Sequence, residues 1–351
     1  MLCVTANVPV VLWGEPGTGK TSTVRAVADM LEVPCETVIA SIREPTDFSG
    51  LPIVVSGAVE FAPPRWAERL AEAGHGILFF DEISASAPAV QSALLRVVLE
   101  RVVGDLVLPG DIRVVAAANP PGLAGDSWHL TPALANRFCH LNWTMATATF
   151  TSGFRHGWQE PPLLEPAAAW VDGLGPQRGL VADFIEARPS LLVNQPANPD
   201  AAGRGWPSAR SWDTLARLLA AAEATGADTE VIAALARGTV GDGAGLEFLV
   251  WRERPDLPAP ETLLADPEGI PWPSRPDLSY ALLEAAVAAV ADNPTADRWL
   301  AGWRVIARAS AETPDAAAVA ARTLARCRPP GVEIPESAKA FLPLLEAAGL
   351  I

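Results

Sequence analysis

Eight consecutive residues, Gly14-Glu15-Pro16-Gly17-Thr18-Gly19-Lys20-Thr21, have the types and order that hold a run of phosphates. The glycines let the backbone turn without Cβ clashes, so the loop N–H groups and a following helix N-terminus can point at one anionic spot. Lys20 adds a point charge for the terminal phosphates, Thr21 offers a hydroxyl to Mg²⁺, and Glu15, Pro16, Gly17, Thr18, Gly19 and Ser22 complete the cradle. By chance such a pattern arises in a chain of this size with a probability of roughly one per cent or less. The only two lysines are Lys20 and Lys339, which lengthens those odds. The plain alternative is a Gly-rich turn with a stray lysine.

A second group of residues suits the chemistry of such a site. Gly76 to Glu82 is an apolar run ending in two carboxylates. Asp81 could hold Mg²⁺ and Glu82 could orient and polarise a water. Apolar runs ending in Asp-Glu are common, and this one gains meaning from following the Gly-rich loop. Asn119 ends another apolar run, where it could bond a water or a phosphate oxygen, although an Asn in a strand-ending turn is ordinary. Arg137 closes the segment Leu130 to Phe138, where a solvated charge is the usual reading. Arg210 falls in the first turn of a helix expected over Ala209 to Ala224, an unfavourable place for a cation unless an anion is near.

The elements that must position these residues follow from pattern. Val8 to Trp13 reads as a strand and Ser22 to Leu31 as a helix, with Val24, Val27 and Leu31 on one side. Cys35 to Ala40 is a second strand, and 53 to 61 a hairpin turning through Ser56-Gly57-Ala58. Four successive apolar residues before Asp81 suggest a strand buried on both faces of a parallel sheet, whose C-terminal edge is where ligands bind. A helix is expected through Glu100, a small hairpin around Gly104-Asp105, a strand over Ile112 to Ala118, a short helix capped by Thr131, and a fifth strand over Cys139 to Asn142. Residues 143 to 175 read as an irregular hinge, 177 to 192 as helix, 194 to 206 as loop, and Ser208 as the cap of the next helix. Further helices are expected at 228–237, 278–291, 296–310 and 315–326, with the proline-rich 251–276 as an extended strap. Trp251, Trp272, Trp299 and Trp303 read as packing residues. The first strand begins so near Met1 that base recognition is expected from elsewhere in the chain or from residues before it.

Bulk properties bound the function. The 351 residues carry a net charge of −15, which gives no global attraction to nucleic acid or an anionic membrane. Cys3, Cys35, Cys139 and Cys327 form neither a zinc pattern nor a disulfide framework, and no apolar run approaches a membrane span. A cytoplasmic protein is expected. Arg96, Arg101 and Arg113 lie near the motifs and stay open as additional trans contacts.

The ordered set GEPGTGKT, ILFFDE, VVAAANP, LANRF and PSARSW, over about residues 7 to 225, resembles the AAA+ ATPases and within them the MoxR and dynein-related branch. The resemblance implies an α/β P-loop AAA+ sandwich with a five-stranded parallel sheet in the order 5-1-4-3-2, then an α-helical lid and further C-terminal helices. The expected domains are 1–150 for nucleotide binding, 151–250 for linker and lid, and 251–351 for the strap and C-terminal helices. It implies Lys20 and Thr21 as the Walker A pair, Asp81 and Glu82 as Walker B, Asn119 as first sensor, Arg137 as arginine finger and Arg210 as second sensor, with the 53–61 hairpin as this branch's insert. Bound ATP and Mg²⁺, a ring of usually six subunits and ATP hydrolysis that remodels a protein client are expected, a von Willebrand A-domain protein being one candidate client. The alternatives are a nucleotide-gated scaffold that barely turns over and a McrB-like nucleic-acid motor; charge and the lack of a basic stripe speak against the latter.

Overall fold

The computed structural model describes residues 1–120, 128–158, 168–253, 257–273 and 275–350. Five parallel strands, β1 (Val10–Trp13), β2 (Cys35–Ile39), β3 (His75–Asp81), β4 (Asp111–Ala118) and β5 (Cys139–Asn142), form one sheet in the order β2-β3-β4-β1-β5. Read from the other edge this is 5-1-4-3-2, as expected. A count over all strands differs only because two separate hairpins, Leu51–Val55 with Ala58–Ala62 and Val102–Val103 with Leu106–Val107, intervene.

Three helices flank the sheet: α1 (Lys20–Met30), α2 (Arg65–Ala73) and α3 (Pro88–Glu100). Alternation along the strands builds two cores, one on each face. Val11, Trp13, Leu78 and Phe80 face Phe48, Trp66, Leu70 and Leu94, so α2 and α3 cover that side. Val10, Leu12, Ile77 and Phe79 face α1 through Val24 and Val27. Leu218, Ala221 and the short helix Leu2–Thr5 join this second core. Ile77 to Phe80 are fully buried, which is why those four consecutive positions are all apolar.

After β5 come α4 (Thr147–His156), α5 (Leu174–Ala187), α6 (Ala209–Ala224), α7 (Thr229–Val240) and α8 (Asp242–Glu253). The expected hinge therefore contains a helix; residues 159–167 of that stretch lie outside the described residues. Ser208 caps α6 as expected, accepting from Ser211 N–H at 3.1 Å while Ser211 Oγ accepts from Ser208 N–H. The C-terminal part is α9 (Pro276–Asp292), α10 (Ala296–Ser310) and α11 (Pro314–Arg326), packed around Trp299 and Trp303, whose rings meet edge to face at 5.7 Å. The expected strap is not wholly extended, since Pro260–Ala265 is helical with Pro260 in its first turn, where a missing N–H costs nothing. Residues 254–256 and 274 of the strap lie outside the described residues.

The base of the first hairpin is tied to the turn of the second. Phe61 N–H donates to Asp105 Oδ2 at 2.7 Å, and Asp105 N–H donates to Phe61 O at 3.0 Å. Gly104 has φ +60, and a Cβ there would strike Phe61 O, so this approach needs glycine. The hairpin 51–62 otherwise stands in solvent, with Val54 76% and Val59 62% exposed.

Candidate functional site

The site forms where β1, β3 and β4 end together. Gly14 follows β1 and donates to Ala118 O at 3.1 Å, and the loop then turns through Gly17 (φ 79) and Gly19 (φ 88) into α1. Both glycines take left-handed angles that a side chain disfavours. Lys20 lies at the first position of α1, only 7% exposed, and its Nζ donates to Gly14 O at 2.5 Å, Glu15 O at 2.9 Å and Asn119 Oδ1 at 3.1 Å. Burial lowers the Lys20 pKa, and the nearby Asp81 carboxylate opposes that shift. Thr18 Oγ1 donates to Glu15 O at 2.7 Å and stiffens the loop.

Thr21 Oγ1 donates to Asp81 Oδ2 at 2.8 Å, joining the helix start to the end of β3. Two hard oxygens side by side at a phosphate cradle suit Mg²⁺, which takes one or two protein oxygens and fills its shell with phosphate and water. Among the described residues there is no cluster of three or more His, Cys, Asp or Glu that could hold a metal unaided. The donor set thus fits Mg²⁺ brought in with a polyphosphate. Glu82 follows in the left-handed region at φ 56, and Ser41 Oγ donates to its Oε2 at 2.5 Å. Asn119 is clipped at its backbone, its N–H donating to Ser84 Oγ at 3.1 Å and its carbonyl accepting from the same hydroxyl at 3.2 Å. Ser41 and Ser84 have no spacing signal in the sequence. Ser41 comes beside Glu82 because β2 pairs with β3 in the register Ile39↔Asp81.

The structure brings Lys20, Thr21, Asp81 and Asn119 into one network and leaves Arg137 and Arg210 out of it. Arg137 is half-buried, donates through Nη1 to Ala133 O on its own short helix, and has a buried Nε without a hydrogen-bond partner among the described residues. Burial and then the neighbouring Arg210 charge lower its pKa. Arg210 is exposed in the first turn of α6 and makes no hydrogen bond or ion pair with a described residue; two cations thus face one region. The three other arginines near the motifs are engaged within the chain: Arg96 with Glu100 and Gly104 O, Arg101 with Ile112 O and Asn7, and Arg113 with Gly110 O and Asp111.

A cavity of about 1160 Å³ opens beside the loop, between α1, the edge strand β5 and α7. Leu2–Val4, Thr23, Val24 and Val27 line one side, and Arg204–Pro207 and residues of α7 the other. The Leu2–Thr5 helix is therefore present ahead of the first strand and forms part of that wall. Trp143 closes the loop end, its N–H donating to Trp13 O at 2.6 Å and its indole to Thr18 O at 2.9 Å. The Arg204 guanidinium stacks 3.7 Å over Trp13. Trp13 Nε1–H donates to His140 Nδ1 at 2.9 Å, and His140 Nε2 faces Ala135 O at 2.9 Å. That arrangement needs a neutral imidazole, and burial lowers its pKa to about 3.

Residues 10–142 match the model of the ATPase family associated with various cellular activities (AAA). They form an AAA-type nucleotide-binding domain. Among curated relatives, the Nif-specific regulatory protein of Azorhizobium caulinodans is 35% identical over 127 residues, covering 32% of this chain and 20% of that protein. The transcriptional regulatory protein XylR of Pseudomonas putida is 37% identical over 121 residues, 32% of this chain and 21% of XylR. The chain thus spans about a fifth of the length of these relatives. Among solved structures, a full-length MCM homolog from Methanopyrus kandleri is 18% identical with a TM-score of 0.41, covering 68% of this chain and 54% of that one. No helix among the described residues is long and apolar enough to cross a membrane.

Proposed function

We propose that this protein is a MoxR-type AAA+ ATPase that assembles into a ring, hydrolyses ATP at the boundary between two copies, and uses the cycle to remodel a protein partner. The observation that carries this reading is the division of the charges. One chain gathers Lys20, Thr21, Asp81 and Asn119 at the phosphate loop, while its Arg137 and Arg210 lie near each other and make no hydrogen bond to that network. A second copy presenting that pair would complete the positive surround of the γ-phosphate.

In this scheme the carbonyl partners of Lys20 give way to β- and γ-phosphate oxygens, and Asn119 keeps the ammonium aligned. Mg²⁺, when bound through Thr21 and Asp81, neutralises phosphate charge. Glu82 orients the attacking water once its carboxylate is released from Ser41. The adenosine extends past Thr23 into the cavity, walled by Leu2–Val4 and α7. Closure of α6 and α7 on the base then links nucleotide state to lid position. The exposed hairpin 51–62, apolar at Val54, Val55 and Val59, is the surface offered to the client.

The curated relatives are named as regulatory proteins, which favours a regulatory target over bulk unfolding. The net charge of −15 disfavours a nucleic-acid track. A phosphate-release assay across protein concentration, with Mg²⁺ and with a chelator, tests the proposal. Turnover per chain should rise steeply with concentration, require Mg²⁺, and be lost in Glu82→Gln while nucleotide binding persists. A complete absence of Mg²⁺-dependent release at concentrations where rings form would overturn hydrolysis and leave the scaffold reading.

A further inference from the structure

Cys3 and Cys139 are far apart in sequence and meet in the fold. The Leu2–Thr5 helix turns back so that Val8 N–H donates to Cys3 O at 2.8 Å, while Cys139 N–H donates to Pro9 O at 2.8 Å. The two backbones are thereby pinned to consecutive residues, and the two thiols lie close enough to shift each other's pKa. Both are buried, at 4% and 0% exposure, in the core cluster beneath the cavity. Cys3 lines that cavity, whereas Cys139 is not among its lining residues. On α7 the Thr239 hydroxyl donates to Leu235 O at 2.7 Å, and a Cβ at the adjacent Gly238 would come within 3.3 Å of the Cys139 sulfur. The pair therefore sits where the N-terminal helix, β5 and α7 touch.

We propose that Cys3 and Cys139 form a redox pair in which a peroxide entering the cavity oxidises Cys3 and Cys139 then closes a disulfide. The Cys3 sulfur attacks one peroxide oxygen. The O–O bond breaks, the thiol becomes a sulfenic acid, and the second oxygen leaves as water with the thiol proton. The Cys139 sulfur then displaces hydroxide from the Cys3 sulfur: the S–S bond forms, the S–O bond breaks, and hydroxide leaves as water with the Cys139 proton. Two thiols lose two electrons and the peroxide gains them. The order of attack follows from access to the cavity, and it agrees with the neighbouring Cys139 thiol lowering the Cys3 pKa while the Cys139 pKa lies well above the usual thiol range.

Closure shortens the sulfur separation to about 2.05 Å and draws the Cys139 sulfur toward Cys3, away from its close approach to Gly238. The N-terminal wall moves toward β5, and the packing of α7 on Cys139 changes with it. Disulfide formation does not rest on the proposed ATPase function, whereas protection by ATP does.

The test is peroxide treatment of the full native chain, followed by alkylation and peptide mapping by mass spectrometry. A Cys3–Cys139 linked peptide should accumulate about tenfold faster than modification of Cys35 or Cys327, whose thiols lack a thiol partner among the described residues. In Cys139→Ala, Cys3 should stop at the sulfenic acid and be trapped by dimedone. Recovery of Cys3 and Cys139 as separate alkylated thiols, or linkage only after unfolding in urea, would overturn the pair. Saturating ATP should slow the linkage by filling the cavity; an unchanged rate with the link still formed supports the pair and counts against the nucleotide's seat there.

Discussion

Substituting Arg137 by Ala tests the shared site most directly, because the structure limits what else the change can do. In its own chain the Arg137 side chain makes one hydrogen bond, to Ala133 O, and no ion pair with a described residue. Removing it costs the fold about 1 kcal/mol or less, and it relieves the repulsion with Arg210. The monomer should therefore unfold at nearly the wild-type urea midpoint. Turnover should nevertheless fall by about 10³-fold or more, the usual loss when an arginine supplied in trans is missing. Glu82→Gln should be similarly inactive for a different reason, since it lacks the base but keeps the arginine. Mixing the two inactive chains in equal amounts distinguishes a shared site from a self-contained one. With random assembly, about one quarter of the boundaries join an intact Glu82 to an intact Arg137, so about a quarter of wild-type phosphate release should return. A site complete within one chain would recover nothing. A mixture no more active than its components, at concentrations where both are shown to co-assemble, refutes the division of labour between copies.

Other outcomes follow from local geometry. Thr21→Val removes a metal oxygen and the donor to Asp81, so Mg²⁺ should lose about tenfold of its enhancement of nucleotide binding, read with a fluorescent ATP analogue with and without chelator. Gly104→Ala places a methyl against Phe61 O at a left-handed backbone position; it should destabilise the domain by about 2 kcal/mol and speed amide exchange at Phe61 and Asp105. Two buried groups respond to pH with opposite sign. His140 titrates near 3 folded and near 6.5 unfolded, so its contribution is complete above pH 6.5 and is lost as pH falls toward 3. It costs about 2 kcal/mol between pH 7 and 5, and His140→Gln should flatten that loss in urea titrations. Asp292 is raised to about 6, chiefly by burial and then by Asp242, so the native state gains as pH falls through 6 toward the ordinary carboxyl value of 3.8. Asp292→Asn should remove about 1 kcal/mol of gain over the same window.

Much of the site is legible because its parts are contiguous. The phosphate loop, the carboxylates ending an apolar run and the Asn after another each announce themselves within a few residues, and all four of Lys20, Thr21, Asp81 and Asn119 meet as their chemistry suggests. Helices escape a reading of the sequence where glycine has a packing role that mimics a break. The Asp242–Glu253 helix carries Gly243 against Asp292 and Gly245 against the Arg237 backbone, where a Cβ would come within 2.8 Å, so the glycines there permit close helix contact. The Thr147–His156 helix is rich in threonine with a glycine inside, a composition of low helix propensity, and Phe150 and Phe154 on it pack with Trp158.

The amino-acid order alone determined the Gly-rich loop and the carboxylates that suit phosphate chemistry, the apolar strands that carry them and the type of sheet they make, since each depends on neighbours in the chain or on a period of two. Folding alone decided which distant groups became partners: Ser41 with Glu82, Trp13 with His140, Arg137 with Arg210 and Cys3 with Cys139. Those pairings depend on strand order, on register and on how the lid helices dock against the sheet. No local pattern encodes them, because a shift of one residue in register turns every side chain to the opposite face.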